Sequence, residues 1–472
     1  MTSPHLRLVS NASEALFQPE LLRRFDINGP RYTSYPTADR FSADFGESDY
    51  LLALKRVAAE QKPLSLYFHI PFCPNICYYC GCNKIITKDH RRSAQYIRYL
   101  AQEMDQVVTA MGRLGRKIPI KQLHWGGGTP TFLSHDEMKE LMAHIQSHFE
   151  FLDGGEYSIE IDPRRVQESD IALLADLGFN RISLGVQDFN PDVQKAVHRI
   201  QTISETQAVL DWSRKYGFTS SSVDLIYGLP KQTPKTFSET VAAVIQMNPD
   251  RLSVYSYAHL PHLFKPQRRI AEIDLPIAVD KLQILANTIE QLQDAGYGFI
   301  GMDHFAKPDN ELSVAQREGR LHRNFQGYST QAECDLLAFG VSSIGKVDNA
   351  YVQNVKTTDE YYAALDQGHL PVMRGLILSA DDLLRRELIS ELMCQFSLDT
   401  KAFAQKYQID FLTYFEDEYR ELQDLQRSGL VELSEHGIHV PLRGRLLARR
   451  VAMVFDRHLR LAKTSSAYSK VL

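Results

Sequence analysis

The chain has 472 residues, 44% hydrophobic and 24% charged, and a formal net charge of −5. That length allows two or three domains and a large core, the composition is that of a globular protein, and the charge balance gives no global case for nucleic-acid binding. No run of about 18 apolar residues is present and the N-terminal Met1-Thr-Ser-Pro-His-Leu-Arg-Leu8 lacks the apolar centre of a signal peptide, so no membrane-spanning helix and a reducing, cytoplasmic setting are expected.

Residues 1–50 are irregular, broken by Pro19, Gly29, Pro30 and Pro36. Leu64, Leu66, Phe68 and Ile70 then alternate with Ser65, Tyr67 and His69, the pattern of a strand. It runs into Cys73-Pro-Asn-Ile-Cys77-Tyr-Tyr-Cys80-Gly-Cys82, a C-x3-C-x2-C-x-C spacing. Three thiolates so close together can hold three irons of a [4Fe–4S] cluster and leave the fourth iron open. Structural zinc usually takes two C-x2-C-type pairs set well apart, and a disulfide between residues two apart is strained. The distant Cys334 and Cys394 read as buried apolar thiols.

A helix is predicted over 93–111, where Ile97, Leu100, Met104, Val107, Val108 and Met111 share a face. Further strands are predicted at 120–126, 156–162, 180–187, 221–227 and 251–257, with helices at 134–149, 167–177, 203–216, 235–247 and 280–295. Six strands alternating with helices imply parallel βαβ units in an incomplete (β/α)6 barrel, an α/β fold. Its interior is expected to be apolar, with ligands at the carboxyl ends of the strands. From about 375 the alternation stops. Leu383, Leu384, Leu388, Ile389, Leu392 and Met393 mark a helix, and a second is predicted at 411–426. A hairpin follows at 430–440 around Glu435-His436-Gly437, then a final helix at 443–461. This reads as a mainly helical, winged-helix-like domain. The chain thus divides into an N-terminal extension (1–50), a catalytic domain (51–374, barrel core about 60–296) and a C-terminal domain (375–472). Arg443, Arg445, Arg449, Arg450, Arg457 and Arg460 make the last helix basic. A solvated charged face is the simplest account; contact with an anionic substrate or a nucleic acid are the others.

The strand ends carry the polar residues. His124-Trp-Gly-Gly-Gly128-Thr129-Pro130 closes the second strand, and its glycines allow close backbone approach to a ligand, although a tight turn would need the same residues. Ser158-Ile-Glu160-Ile-Asp162-Pro163 closes the third. A carboxylate there needs a partner, which a ribose diol or a salt bridge would supply. Gly185-Val-Gln187 closes the fourth, with Arg199 beyond it; Asp224-Leu-Ile-Tyr-Gly228 closes the fifth, and Tyr255-Ser-Tyr-Ala258-His259 the sixth. Successive strand ends with polar or glycine motifs argue for one shared site.

The C-x3-C-x2-C loop resembles the signature of radical S-adenosylmethionine (SAM) enzymes. Together with Arg31-Tyr-Thr-Ser-Tyr-Pro-Thr37, Trp125-Gly-Gly-Gly-Thr-Pro130, Gly301-Met-Asp-His-Phe305 and His322-Arg-Asn-Phe-Gln-Gly-Tyr328, the sequence resembles one family of them, the oxygen-independent coproporphyrinogen III oxidases (dehydrogenases). The resemblance covers nearly the whole chain. It implies that Cys73, Cys77 and Cys80 ligate a [4Fe–4S] cluster and that Cys82 lies beside it without ligating. It implies two SAM molecules, bound among Tyr67, Gly127, Gly128, Thr129, Glu160, Gln187, Arg199, Asp224, Ala258 and Ile344, with Tyr79 near the cluster. Tyr67, Glu160 and Arg199 are the implied catalytic residues. The implied reaction uses a 5′-deoxyadenosyl radical from SAM to take hydrogen from the propionate β-carbons of coproporphyrinogen III. Two propionates lose CO2 and become vinyl groups, and the product is protoporphyrinogen IX. The N-terminal segment and the C-terminal domain are expected to help enclose the tetrapyrrole. A low-potential donor such as flavodoxin or ferredoxin, a monomer and no nucleic-acid partner are also implied. Three other readings share some of these features: a haem-carrying paralogue, a tetrapyrrole-modifying radical SAM methyltransferase, and a winged-helix nucleic-acid binder with a structural cluster.

Overall fold

Six strands alternate with helices in the computed structural model, which describes residues 16–25, 27–325, 327–331, 334–435 and 437–461. Residues 1–15 of the extension, His436 of the hairpin turn and 462–472 of the C-terminal domain lie outside the described residues. In chain order come α1 (Glu47–Glu60), β1 (Leu64–Ile70), α2 (Arg91–Ala110), β2 (Ile118–Gly127), α3 (His135–His148), β3 (Phe149–Ile161), α4 (Glu168–Asp176), β4 (Arg181–Gln187), α5 (Ile203–Lys215), β5 (Ser220–Tyr227), α6 (Pro234–Met247), β6 (Arg251–Ser256) and α7 (Ala278–Asp294). The helix starts are encoded locally. Ser134 and Thr202 cap α3 and α5 in capping boxes with Glu137 and Glu205, and Pro234 sits in the first turn of α6.

Strands β1 to β6 lie side by side in sequence order and all parallel. Strand β3 starts well before the predicted 156, because Asp153 and Gly154 (φ +69°) interrupt its alternation without ending its pairing. The sheet is also wider than six strands. Gly298–Gly301 (β7) and His304–Ala306 (β8) extend it beyond β6. On the other side Leu336–Phe339 (β9) pairs parallel with β1, and Ile344–Val347 (β10), Ala350–Asn354 (β11) and Val372–Ile377 (β12) continue antiparallel. The result is an open twelve-stranded sheet, ordered β12-β11-β10-β9-β1-β2-β3-β4-β5-β6-β8-β7.

The two faces of this sheet differ in a way that corrects one expectation. Leu66, Phe68, Leu123, Trp125, Ile159, Ile182, Leu184, Val223, Leu225 and Leu252 are fully buried on one face. The interior face, expected to be apolar, is polar instead: His124, Ser158, Glu160, Ser183, Asp224 and Tyr255 line one cavity. The helices already cover the apolar face, so the concave face is left to line a chamber and satisfies itself by hydrogen bonds. His124 Nδ1 lies 2.6 Å from Ser158 Oγ, and Ser183 donates to Asp224 at 3.1 Å.

Glu103 of α2 ties the added strands to the barrel. It is 2% exposed and accepts from Gly340 N (2.8 Å), Asn354 Nδ2 (2.6 Å) and Tyr361 Oη (2.5 Å). Burial pushes its carboxyl up to about 7, against the pull of these donors. A raised carboxyl stabilises the fold fully below its ordinary value of 4.5, and that contribution is lost as pH rises through about 7. Glu103→Ala strands three donors and is expected to cost about 3 kcal/mol. In urea unfolding followed by circular dichroism, Glu103→Gln should flatten the pH dependence between those two values. An unchanged slope would show that Glu103 does not set it.

Beyond β12, Ala380–Gln395 (α8) leads to a three-stranded sheet of Ser397–Asp399, Glu432–Ser434 and Gly437–His439. Helices Thr400–Tyr407, Phe411–Tyr414 and Glu416–Arg427 fill the interval, so the predicted 411–426 helix is broken near Phe415 and preceded by one that was not anticipated. The predicted 443–461 helix is broken too, into Leu442–Leu447, Ala448–Ala452, Met453–Phe455 and Arg457–Leu461. Val451, Ala452, Met453, Val454 and Phe455 are all buried, a run that no single helical stripe can bury. Its arginines are largely engaged with the protein. Arg449 is 3% exposed and bonds the carbonyls of Pro30 (2.9 Å) and Gly29; Arg450 and Arg460 meet Glu421, and Arg457 meets Asp381. Arg443 donates to Gly429 O, and Arg445 lies over the Phe396 ring. The solvated-face reading holds in part: Arg443, Arg457 and Arg460 stay exposed, while Arg445, Arg449 and Arg450 are drawn into the fold. The segment Arg31–Tyr35 runs between the two regions: Arg31 pairs with Asp303 at 2.9 Å and Tyr32 donates to Asp456 at 2.9 Å. Cys394 is fully buried as expected, whereas Cys334 is only half-buried, at a cavity wall.

Candidate active site

The cysteine loop leaves the carboxyl end of β1 and is held on several sides. Ile85 N and Thr87 N return to Pro71 O and Cys73 O, and Tyr78 N donates to Val197 O. Lys84 Nζ donates to Cys80 O (3.0 Å) and Cys82 O (3.2 Å). Cys73 Sγ lies 3.5 Å from Thr129 Oγ1, and Arg199 Nη1 lies 3.7 Å from Cys77 Sγ. The Cys82 thiol hydrogen-bonds Cys80, which lowers Cys80, and Lys84 adds to the effect. Burial raises the Cys73 thiol to about 11 and also raises Tyr79. Tyr79 O accepts from Gln267 Nε2 at 3.0 Å, and the same amide reaches Ala258 O at 3.2 Å. Ala258 is thus tied to the cysteine loop through Gln267.

The glycine run abuts this loop. Gly128 N donates to Ile70 O at 2.8 Å, and Thr129 N to Phe72 O at 2.9 Å. A Cβ on Gly128 would stand 2.7 Å from the backbone carbon and oxygen of Pro71, so only glycine allows this approach. Gly127 (φ +116°) donates its N–H to Glu160 Oε2 at 3.1 Å, and His124 Nε2 lies 3.3 Å from the other oxygen. Burial opposes charge on Glu160, but His124 and the Gly127 N–H outweigh it and hold the carboxyl below the usual range. Tyr67 stacks on His124 at 5.9 Å, and its hydroxyl lies 2.9 Å from His69 Nδ1. A chamber of about 320 Å³ opens here, lined by Tyr67, Cys82, His124, Gly127, Glu160 and Ile344. Gly128→Ala is expected to displace the Pro71–Cys73 backbone and lower iron content in anaerobically prepared protein, measured colorimetrically. Full iron in that variant would show that the contact is not needed.

Other residues named from the sequence surround this chamber without all entering it. Arg199 is 7% exposed and pairs with Asp162 at 3.4 Å while donating to Gly185 O. Burial opposes the charge of Asp162, yet Arg199 and Arg164 bring it down to about 2. Gln187 takes a left-handed φ of +68°, and its amide would lie 2.9 Å from a Cβ on Gly185. Asp224 sits deeper, in the polar barrel cavity, where burial pushes it up to about 6. Sequence reasoning had singled out Glu160 and Arg199 but not their partners, His124 and Asp162. Asp162 stands two residues beyond Glu160, and His124 opens the glycine motif, so both positions were visible; their pairing was not.

The donor set fits a four-iron cluster better than one ion. A single tetrahedral zinc holds its sulfurs about 3.8 Å apart. Among the described residues the one group of three or more such ligand atoms mutually within 4.8 Å is Asp105, His144 and His148 on the outer helices. The cysteine sulfurs form no such group, as thiolates bound to separate irons would not. The buried Nε of Arg199 has no partner, leaving a donor beside Cys77.

Known proteins share these features. The radical SAM superfamily model matches residues 67–244, and the HemN C-terminal domain model matches 378–447. The oxygen-independent coproporphyrinogen III oxidase of Pseudomonas aeruginosa is 50% identical over 442 residues, 93% of this chain and 95% of its own length. That of Escherichia coli K12 is 48% identical over 452 residues, 96% and 98% of the two chains. The solved structure of coproporphyrinogen III oxidase (HemN) from E. coli, described as a radical SAM enzyme, matches with a TM-score of 0.89 and 47% identity, covering 94% of this chain and 99% of that one.

Proposed function

The chain belongs to the oxygen-independent coproporphyrinogen III oxidases, and from that premise we propose how its residues divide the work. It is a radical SAM oxidoreductase of haem biosynthesis that converts two propionates of coproporphyrinogen III to vinyl groups. When bound, a [4Fe–4S] cluster and SAM supply the one-electron chemistry of the oxidation. Cys73, Cys77 and Cys80 hold the cluster, and Cys82 forms part of the chamber wall. Arg199, kept in place by Asp162 and Gly185 O, sets a positive charge against the Cys77 thiolate. Gly127, Gly128 and Thr129 offer an edge without Cβ obstruction, Glu160 accepts from ribose hydroxyls, and His124 keeps that carboxylate ionised. Tyr67 and Ile344 close the chamber, with Tyr79, Gln187, Asp224 and Ala258 around it. A second SAM molecule is part of the proposal, with Asp224 in the polar cavity that Glu160 also lines.

A monomer in the cytoplasm, served by a low-potential donor such as flavodoxin or ferredoxin, completes the proposal, with the chain divided near residues 50 and 374. No helix among the described residues is long and apolar enough to cross a membrane. The engagement of Arg449, Arg450, Arg457 and Arg460 within the fold favours no nucleic-acid partner. The observation that carries the reading is the three-thiol loop held against the glycine edge and Glu160. Anaerobic incubation of reconstituted protein with SAM, a reductant and coproporphyrinogen III should yield a product lighter by two CO2 and two hydrogen pairs. Haem binding without turnover would favour the haem-carrying alternative, and a methylated product would favour the methyltransferase.

A further inference from the structure

Beside the SAM chamber lies a larger cavity of about 770 Å³, whose wall includes Tyr32, His322, Phe325, Lys346 and Arg386. The two spaces share Phe325 and Leu336. Strand β10 passes from one to the other: Ile344 lines the SAM chamber and Lys346 the larger cavity. Residues two apart on a strand point the same way about 7 Å apart. The larger cavity is therefore a lateral continuation of the reaction chamber, bounded by the N-terminal segment and α8.

Its charges are unbalanced. Lys346 and Arg386 are half-buried, and neither makes an ion pair among the described residues. Arg386 reaches the Tyr351 hydroxyl, but its Nη1 is buried with no partner. Burial lowers Lys346 and the nearby Arg386 lowers it further, with Asp335 offsetting them only in part. Burial together with the same two cations holds His322 down to about 3, neutral at pH 7. The acids facing this space are otherwise occupied. Glu387 pairs with Lys406 at 2.6 Å, burial and Glu387 push Glu391 up to about 7, and Asp335 accepts from Asp348 N without reaching Lys346 within 4.0 Å. Two cations drawn out of water without a direct ion pair cost stability unless a ligand supplies the charge.

The substrate read above carries four propionates. Two are consumed, and the two that survive stand on neighbouring rings of the product. We propose that Lys346 and Arg386 form ion pairs with the two surviving propionate carboxylates, turning the opposite edge of the macrocycle towards the chamber of Tyr67 and Ile344. The proposal rests on the reading of the protein as a coproporphyrinogen III oxidase, and it adds which wall holds the substrate and which carboxylates it holds. Of the cavity's cations, Arg317 and Arg323 donate to the carbonyls of Pro308 and Arg31 and Lys406 pairs with Glu387, which leaves Lys346 and Arg386 to meet two neighbouring carboxylates.

The test uses the full-length, cluster-loaded protein. Equilibrium binding of coproporphyrin III, a stable tetra-acid, is followed by fluorescence beside its tetramethyl ester. Lys346→Met and Arg386→Met should each weaken tetra-acid binding roughly ten- to a hundredfold and leave the ester unaffected. In anaerobic turnover they should raise KM for coproporphyrinogen III more than they lower kcat. Lys346→Arg and Arg386→Lys should recover most of the affinity. Iron content and SAM affinity in the same preparations report whether the fold is intact. Should a methionine variant lose iron, Lys346→Gln and Arg386→Gln are read in its place. Unchanged tetra-acid affinity and KM in variants with normal iron and SAM binding overturns the proposal, as does equal weakening of acid and ester. Wild-type protein that binds the tetra-acid but forms no decarboxylated product overturns the functional reading instead, so the two failures are distinguishable.

Discussion

Serine at Cys73, Cys77 or Cys80 is expected to remove most of the protein's iron and all of its SAM cleavage, whereas serine at Cys82 leaves the iron content and the reduced-state spectrum unchanged. Serine is a poorer iron ligand than thiolate, and each lost ligand opens the cluster to solvent. The structure separates the four cysteines by surroundings as well as by spacing. Cys73 faces Thr129, Cys77 faces Arg199, and Cys80 lies beside Lys84, so each has a donor or a cation close by. Cys82, whose carbonyl also accepts from Lys84, differs in lining the chamber with Tyr67 and Glu160. Iron content and the reduced spectrum across the four variants decide the matter. If Cys82→Ser loses iron as completely as the others, four thiolates hold the cluster, no iron is open to SAM, and the proposed chemistry fails.

Glu160→Ala should weaken SAM binding by about 1.5–3 kcal/mol, roughly ten- to a hundredfold, with the iron unchanged. The carboxylate holds the Gly127 N–H with one oxygen and faces His124 with the other, so it is fixed and ionised before any ligand arrives. Glu160→Gln keeps an acceptor for the Gly127 N–H while losing the charge, and its SAM affinity should fall between wild type and alanine. Equal affinities for all three in equilibrium dialysis would remove Glu160 from the SAM site. A loss of iron in the alanine variant alone would assign the residue to holding the glycine edge rather than the ribose.

Much of this was open to reading in the linear chain because the signals are local. Alternation at Leu64–Ile70 marks β1, capping residues at Ser134 and Thr202 start α3 and α5, and the cysteines that converge beyond β1 lie within ten residues of one another. Periodicity shows that one face of a strand is buried, but it does not say which face is concave; the polar interior of His124, Glu160, Ser183 and Asp224 became visible only when the strands were placed side by side. Strand β9 was missed because Leu336–Phe339 is four apolar residues buried on both faces, a run with no period to detect. The final 443–461 helix is broken because the fold buries a continuous run from Val451 to Phe455, which no single helical stripe can do.

The sequence by itself determined the six-strand alternation, the ligand spacing and the polar strand ends, since each depends on neighbours a few residues apart. Only the tertiary structure brought Arg199 to Cys77 across 122 positions, His124 to Glu160 across 36, and Lys346 into one cavity with Arg386. Such pairs carry no local signature: the free energy that joins them comes from burial and charge compensation between distant segments, and it exists only once the sheet has set its strand order.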